Sequence, residues 1–154
     1  MADILAIDDD LMVRTTVAYA LRSRGHTVDE SGDGADGLAR IRARAYDLII
    51  TDLIMPNREG LETIIELRRD FPALPILAMS GLAHSEINLK SARLLGAWCT
   101  LQKPFELSQL LQAVAQLLAP GDGGPESRLR PGRFAAEPGV LGPGASWVVP
   151  SRLG

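Results

Sequence analysis

The sequence predicts an α/β protein, a five-stranded parallel sheet doubly wound by helices into a three-layer sandwich. Three observations carry that expectation. Short apolar runs alternate five times with stretches of helical period. Three of those runs, Ile4-Leu5-Ala6-Ile7, Leu48-Ile49-Ile50 and Ile76-Leu77-Ala78-Met79, contain no polar residue, as befits strands covered on both faces. The connections are short, which favours helices that return each strand right-handedly to the same sheet.

Taken in order, the first strand is Ile4 to Ile7. Val13, Val17 and Leu21 then recur every four residues, and Gly25 follows where a helix ends in a left-handed turn. Thr27-Val28 marks the second strand. A second helix runs from about Gly34 to Arg44 with Leu38 and Ile41 inward. After Leu48-Ile49-Ile50, a third helix runs from about Arg58 to Asp70 on Leu61, Ile64, Ile65 and Leu67, and Pro72 ends it. Ile76 to Met79 is the fourth strand, and Ser85 is the N-cap of a fourth helix closing at Gly96. Trp98-Cys99-Thr100-Leu101 is the fifth strand. Pro104 precedes a last helix carrying Leu107, Leu110, Leu111, Val114, Leu117 and Leu118. The order is (βα)5, a flavodoxin-like arrangement.

Composition changes at Pro120. Residues 120–154 hold six Pro and eight Gly, whereas the first 119 residues hold four and seven. Such a segment buries too little apolar surface to offset chain entropy, so the expected organisation is a folded domain over 1–119 and a disordered tail over 120–154. Trp147-Val148-Val149 is the exception, an apolar triplet that could dock on the domain or on a partner but reads as a short sticky patch without assigned function. The net charge of −3 provides no general attraction for nucleic acid, and no apolar run reaches the roughly 18 residues of a membrane span. Met1-Ala2-Asp3 lacks the basic start of a signal peptide, and the single Cys99 rules out an intramolecular disulfide, so a cytoplasmic location is expected.

In open α/β sheets ligands bind beyond the carboxyl ends of the strands. There the sequence places Asp8, Asp9 and Asp10 after the first strand, Asp52 after the third, Ser80 after the fourth, and Lys103-Pro104 after the fifth. If the first and third strands are neighbours, Asp8, Asp9 and Asp52 crowd together. Two like charges about 4 Å apart repel by about 4 kcal/mol at an effective dielectric of 20. A hard divalent cation would compensate, and Mg²⁺ is the one that uses few carboxylates and recruits phosphate oxygens. Lys103 offers a point charge and Ser80 a hydroxyl to a phosphoryl group. A lone acid here would be an N-cap, as Asp9 or Asp10 could be; the convergence of five such groups on one rim points to a phosphoryl site.

Four segments in order complete a pattern: Ile4-Leu5-Ala6-Ile7-Asp8-Asp9-Asp10, Asp47 to Pro56 with Gly60 behind it, Met79-Ser80-Gly81, and Lys103-Pro104-Phe105. Over residues 2–119 the chain resembles the receiver domain of bacterial two-component response regulators. The resemblance implies that Asp52 is the phosphoacceptor, that Asp8 and Asp9 help to hold Mg²⁺ with the backbone carbonyl of Ile54, that Ser80 is a switch hydroxyl, and that Lys103, before a cis Pro104, pairs with the phosphoryl group. It implies as partners a sensor histidine kinase or histidine phosphotransfer protein, and a downstream protein reached through the fourth helix, fifth strand and fifth helix. The protein would be a monomer or a phosphorylation-dependent dimer. Hydrogen bonds to a charged group contribute about 1.5 to 3 kcal/mol each, and a full two-state reversal needs about 5.5, so two such contacts give a partial or closely poised switch. Thr100 stands where receivers commonly carry an aromatic residue, and Trp98, two positions earlier, is not in the matching place.

The expected function is thus a stand-alone receiver that accepts a phosphoryl group and signals through protein contacts, without a DNA-binding domain in these residues. Two alternatives are a Mg²⁺-dependent phosphohydrolase acting through an aspartyl phosphate and a scaffold that binds partners without phosphorylation. The first lacks a second acid two residues after Asp52, where Ile54 stands and cannot transfer protons, so only slow self-hydrolysis is expected. Gly32-Asp33-Gly34-Ala35-Asp36-Gly37 matches the dinucleotide pattern G-x-G-x-x-G, but its two acids occupy the place of a pyrophosphate and it follows the second strand. His26 and His84 are isolated, Arg40, Arg42 and Arg44 read as a solvated face, and Cys99 reads as a core residue.

Overall fold

The computed structural model describes residues 1–53, 60–81, 90–92, 96–119 and 145–147. Its strands are β1 (Asp3–Ile7), β2 (Thr27–Ser31), β3 (Leu48–Asp52), β4 (Ile76–Ser80), β5 (Cys99–Gln102) and β6 (Ala145–Trp147). Its helices are α1 (Leu11–Arg22), α2 (Gly34–Ala43), α3 (Gly60–Asp70) and α4 (Leu107–Leu118). The sheet order is β2-β1-β3-β4-β5-β6, with the first five strands parallel. The expected five-stranded parallel sheet is therefore present.

Alternation along the strands divides the core in two. Ile4, Ala6, Leu48, Ile50, Leu77 and Met79 face α1 and α4, where they meet Val17, Leu21, Leu110, Val114 and Leu117. Leu5, Ile7, Ile49, Ile76 and Ala78 face the other way, against Leu38 and Ile41 of α2 and Ile64 and Leu67 of α3. Each fully buried Leu or Ile of this kind contributes about 1.5 to 3 kcal/mol of transfer free energy. Helix ends follow from local chemistry. Asp10 caps α1 by accepting the N–H groups of Met12 and Val13. Beyond that helix the chain reverses at Gly25, whose φ of +89° a side chain would oppose.

One expectation differs from the structure, and one is described only in part. The segment 120–154 was expected to be disordered, whereas its residues Ala145–Trp147 pair antiparallel with β5 as a sixth strand; the rest of the segment lies outside the described residues. Three residues are too few to show a period, and edge pairing rests on backbone groups, which composition does not reveal. Of the fourth helix expected over Ser85 to Gly96, residues 90–92 are helical and the remainder up to residue 95 lies outside the described residues. The Arg58 start of the third helix also lies outside them; the described helix begins at Gly60.

Candidate functional site

Because β1, β3, β4 and β5 are adjacent and parallel, their carboxyl ends form one rim. Asp8 follows β1, Asp52 and Ser80 are the last residues of β3 and β4, and Lys103 follows β5. Carboxylate oxygens of Asp8, Asp9 and Asp52 lie within 4.8 Å of one another, with Asp8 and Asp52 buried and Asp9 exposed. The Lys103 ammonium donates to Asp8 Oδ2 at 2.6 Å and stands 3.5 Å from Asp52 Oδ2. Backbone donors fix the other oxygens: the Asp10 N–H reaches Asp8 Oδ1 at 2.9 Å, and the Leu53 N–H reaches Asp52 Oδ1 at 2.8 Å. The backbone N–H of Lys103 donates to the Ser80 carbonyl at 2.7 Å, and the Lys103-Pro104 bond is cis.

Three carboxylates face one ammonium, so the site is short of positive charge. Burial pushes the Asp52 carboxyl up to about 6; Asp8 adds to the rise, while Lys103 and the Leu53 amide oppose it. Burial would lower the Lys103 ammonium, but its hydrogen bond to Asp8 and the nearby Asp52 charge outweigh that and hold it above its ordinary value. Ser80 is fully buried and, among the described residues, its Oγ has no hydrogen-bond partner. The donor set consists of hard oxygens with a buried deficit of positive charge, which fits Mg²⁺ and does not suit a soft metal.

Asp8, Asp9, Asp52, Ser80 and Lys103 are thus brought to one rim, as their strand ends predicted. The Ile54 carbonyl lies outside the described residues. Thr100 is fully buried within β5, and Trp98 is buried in the core with the Arg68 guanidinium 5.8 Å from its ring centroid. The glycine-rich decoy is filled by its own acids: Asp33 caps α2 by accepting the Asp36 N–H, and the Ser31 hydroxyl donates to Asp36. Arg40, Arg42 and Arg44 pair with Asp36, with Glu66 and Asp70, and with Asp3 and Asp29. His26 Nδ1 accepts the Ala2 N–H, and burial pushes the Cys99 thiol up to about 12, where it is inert. His84 lies outside the described residues.

Two features escaped the sequence reading. Arg14 donates to the Asp8 carbonyl at 2.8 Å and so braces the acidic turn from α1. Beside Lys103, an apolar groove of about 440 Å³ opens between Met12, Val13 and Thr16 of α1 and Pro104, Phe105 and Leu107. Met12, which lines it, is 79% exposed, and its neighbour Leu11 is 63% exposed. Two apolar residues directly after an N-cap acid were the available signal.

Residues 4–115 match the family model described as the response regulator receiver domain. The chain is 32% identical over 117 residues to the transcriptional regulatory protein ZraR of Salmonella typhimurium, covering 76% of this chain and 26% of that protein. It is 36% identical over 128 residues to the response regulator MprA of Mycolicibacterium vanbaalenii, covering 80% and 54%. The chain therefore spans between about a quarter and about half of these relatives. Among solved structures, the receiver domain of NtrX from Brucella abortus superposes with a TM-score of 0.72 at 31% identity, over 75% of this chain and 98% of that one. The chemotaxis response regulator CheY4 of Vibrio cholerae gives 0.70 at 31% identity, over 77% and 99%. The chain superposes on nearly the whole of both structures, and with nearly three quarters of its length matched by the family model it belongs to the response regulator receiver domains of bacterial two-component systems.

Proposed function

We propose that this protein accepts a phosphoryl group on Asp52 from a histidine kinase or histidine phosphotransfer protein and signals through protein contacts. The observation that supports the reading best is the cluster of Asp8, Asp9 and Asp52 with Lys103 bridging Asp8 and Asp52. With its carboxyl near 6, Asp52 is about nine-tenths ionised at pH 7 and available as a nucleophile. A carboxylate oxygen of Asp52 forms the new P–O bond as the P–N bond of a phosphohistidine breaks, and the electron pair returns to the imidazole nitrogen. Asp8, Asp9, Asp52 and the carbonyl of Ile54 would hold Mg²⁺, which supplies positive charge to the phosphoryl oxygens. The Lys103 ammonium lies close enough to turn from Asp8 towards those oxygens.

Ser80 then acts as the switch: its buried hydroxyl, without a partner among the described residues, gains an acceptor when the phosphoryl group arrives. Lys103 and Ser80 pull on the ends of β5 and β4, which carries the change to the face formed by the region of residues 90–92, β5 and α4. Thr100 stands at the usual aromatic position, so signal output at this face relies on backbone movement more than on a rotating ring. Phosphoryl loss is slow because Ile54 offers no proton-transfer group. The apolar groove beside Lys103 suits an amphipathic helix of the phosphodonor, placed where its histidine would meet Asp52. Signalling is proposed to run in the cytoplasm without nucleic-acid contact by residues 1–119, which carry a net charge of −4. Intact mass after incubation with acetyl phosphate and Mg²⁺ tests the reading. One phosphoryl increment should form, and Asp52→Asn or a chelator should abolish it; an unchanged increment in Asp52→Asn would overturn it.

A further inference from the structure

The two outer strands of the parallel sheet are protected differently. β2, at one end, carries Asp29 and Glu30, and these acids are held by Arg44 and by Arg14 and Arg22. Charges of this kind keep an open edge from pairing with another chain. At the other end, Trp98-Cys99-Thr100-Leu101-Gln102 contains neither a charge nor a proline. An uncharged edge is a template for a further strand. In this chain that place is taken by β6, with Leu101 opposite Ala145, Thr100 opposite Ser146 and Cys99 opposite Trp147. The edge that remains is only three residues long and is bracketed in sequence by Pro143 and Pro150, two devices that end strand pairing.

We infer that Ala145–Trp147 is a self-supplied edge strand that guards β5 and excludes a second copy of this chain from pairing there. The inference goes beyond the proposed phosphoryl chemistry and does not depend on it. Twenty-five residues separate Ala119 from Ala145. At up to about 3.3 Å per residue they reach about 80 Å, more than the width of a domain of this size. An attached strand meets its edge at an effective concentration of about millimolar, so at micromolar protein the cis strand outcompetes the β5 edge of another molecule. A three-residue ladder is also weak enough to be displaced. Ala145, the first residue of β6, sits opposite Leu101, two positions before Lys103, so the guard strand begins near the phosphoryl rim and runs away from it.

The test is the full chain with Ala145→Pro and Ser146→Pro together. Neighbouring amides of a strand point to opposite sides, so one of the two substitutions must remove a donor to β5 whichever way the ladder is phased. In the wild type the outward amides of β5 should exchange slowly and sedimentation should show a monomer at tens of micromolar. In the double variant those amides should exchange at least about tenfold faster, with β1 and β3 unchanged, at dilutions where the protein is monomeric. At higher concentration the variant should self-associate in a concentration-dependent way. Unchanged exchange in β5 would overturn the pairing, and faster exchange in a protein that stays monomeric throughout would overturn the guard.

Discussion

Asp52 is a buried carboxyl at the rim, and its charge is set by that burial. Its carboxyl titrates near 6 because burial disfavours the charged form, against 3.8 when exposed. Between those values the folded protein binds more protons than the unfolded chain, so stability falls as pH rises from about 4 to about 6, and the penalty is complete above 6. Two pKa units correspond to about 3 kcal/mol, an upper figure for a site that relaxes. Asp52→Asn removes the charge at nearly constant shape. It should therefore stabilise the protein by about 1 to 3 kcal/mol at pH 7.5 and by almost nothing at pH 4, read as the shift in urea midpoint at each pH. An equal gain at both values would show that burial of the charge is not the cause. Ser80 makes the complementary case. Its buried Oγ has no partner among the described residues, so Ser80→Ala should leave unfolding free energy within about 0.5 kcal/mol while reducing the response of the output face to phosphorylation, seen as smaller amide shift changes in β5 and α4. These residues were legible in the sequence because a parallel strand delivers its last residue to a known rim. What could not be read was the direction of the Lys103 side chain, which rests on Asp8 more closely than on Asp52.

At the scale of elements, apolar runs identified β1, β3 and β4 because buried parallel strands have no polar side. β2 was harder to delimit, since an outer strand keeps polar residues and only Thr27-Val28 looked extended. β6 was invisible for the reason that makes it interesting: it is recognised by the backbone of β5 and not by a period of its own. The connection into β5 shows a different dependence on geometry. Arg68 of α3 donates to the carbonyls of Pro72, Leu74 and Gly96, which ties the end of α3 to the turn before β5. Gly96 has a φ of +122°, and a Cβ there would lie 2.7 Å from Arg68 Nε. Gly96→Ala combines a strained backbone with displacement of that clamp, so a loss of about 2 to 3 kcal/mol is expected in chemical denaturation. The clamp also stacks near Trp98, so near-ultraviolet circular dichroism from the buried indole should change in the same variant. A variant with wild-type stability would mean that the turn adapts without its left-handed residue.

For the whole molecule, the decisive quantity is how far an excess of carboxylates at one end of the sheet couples folding to a cation. The acids come from two chain segments far apart in sequence, the ends of β1 and β3, so they exist as a cluster only in the folded state, and a ligand bound there stabilises the fold by mass action. At a Mg²⁺ concentration ten times its Kd the gain is about 1.4 kcal/mol, which for a chain of this size raises Tm by about 5 °C. The same coupling sets the pH dependence. Mg²⁺ needs an ionised Asp52, whose carboxyl gains its proton as pH falls through about 6, so the Tm increment should be full at pH 7.5 and largely gone at pH 4.5. Asp9 is exposed, so Asp9→Ala leaves packing intact and should abolish the increment at every pH without lowering the Tm of the metal-free protein by more than a degree or two. Ca²⁺ at equal concentration should give a smaller increment, because a few carboxylates leave the larger ion under-coordinated. Differential scanning calorimetry across the two pH values and the two proteins reads all of this at once. A Mg²⁺ increment that survives in Asp9→Ala, or that persists at pH 4.5, would place the cation away from the rim and remove the electrostatic basis for phosphoryl transfer there.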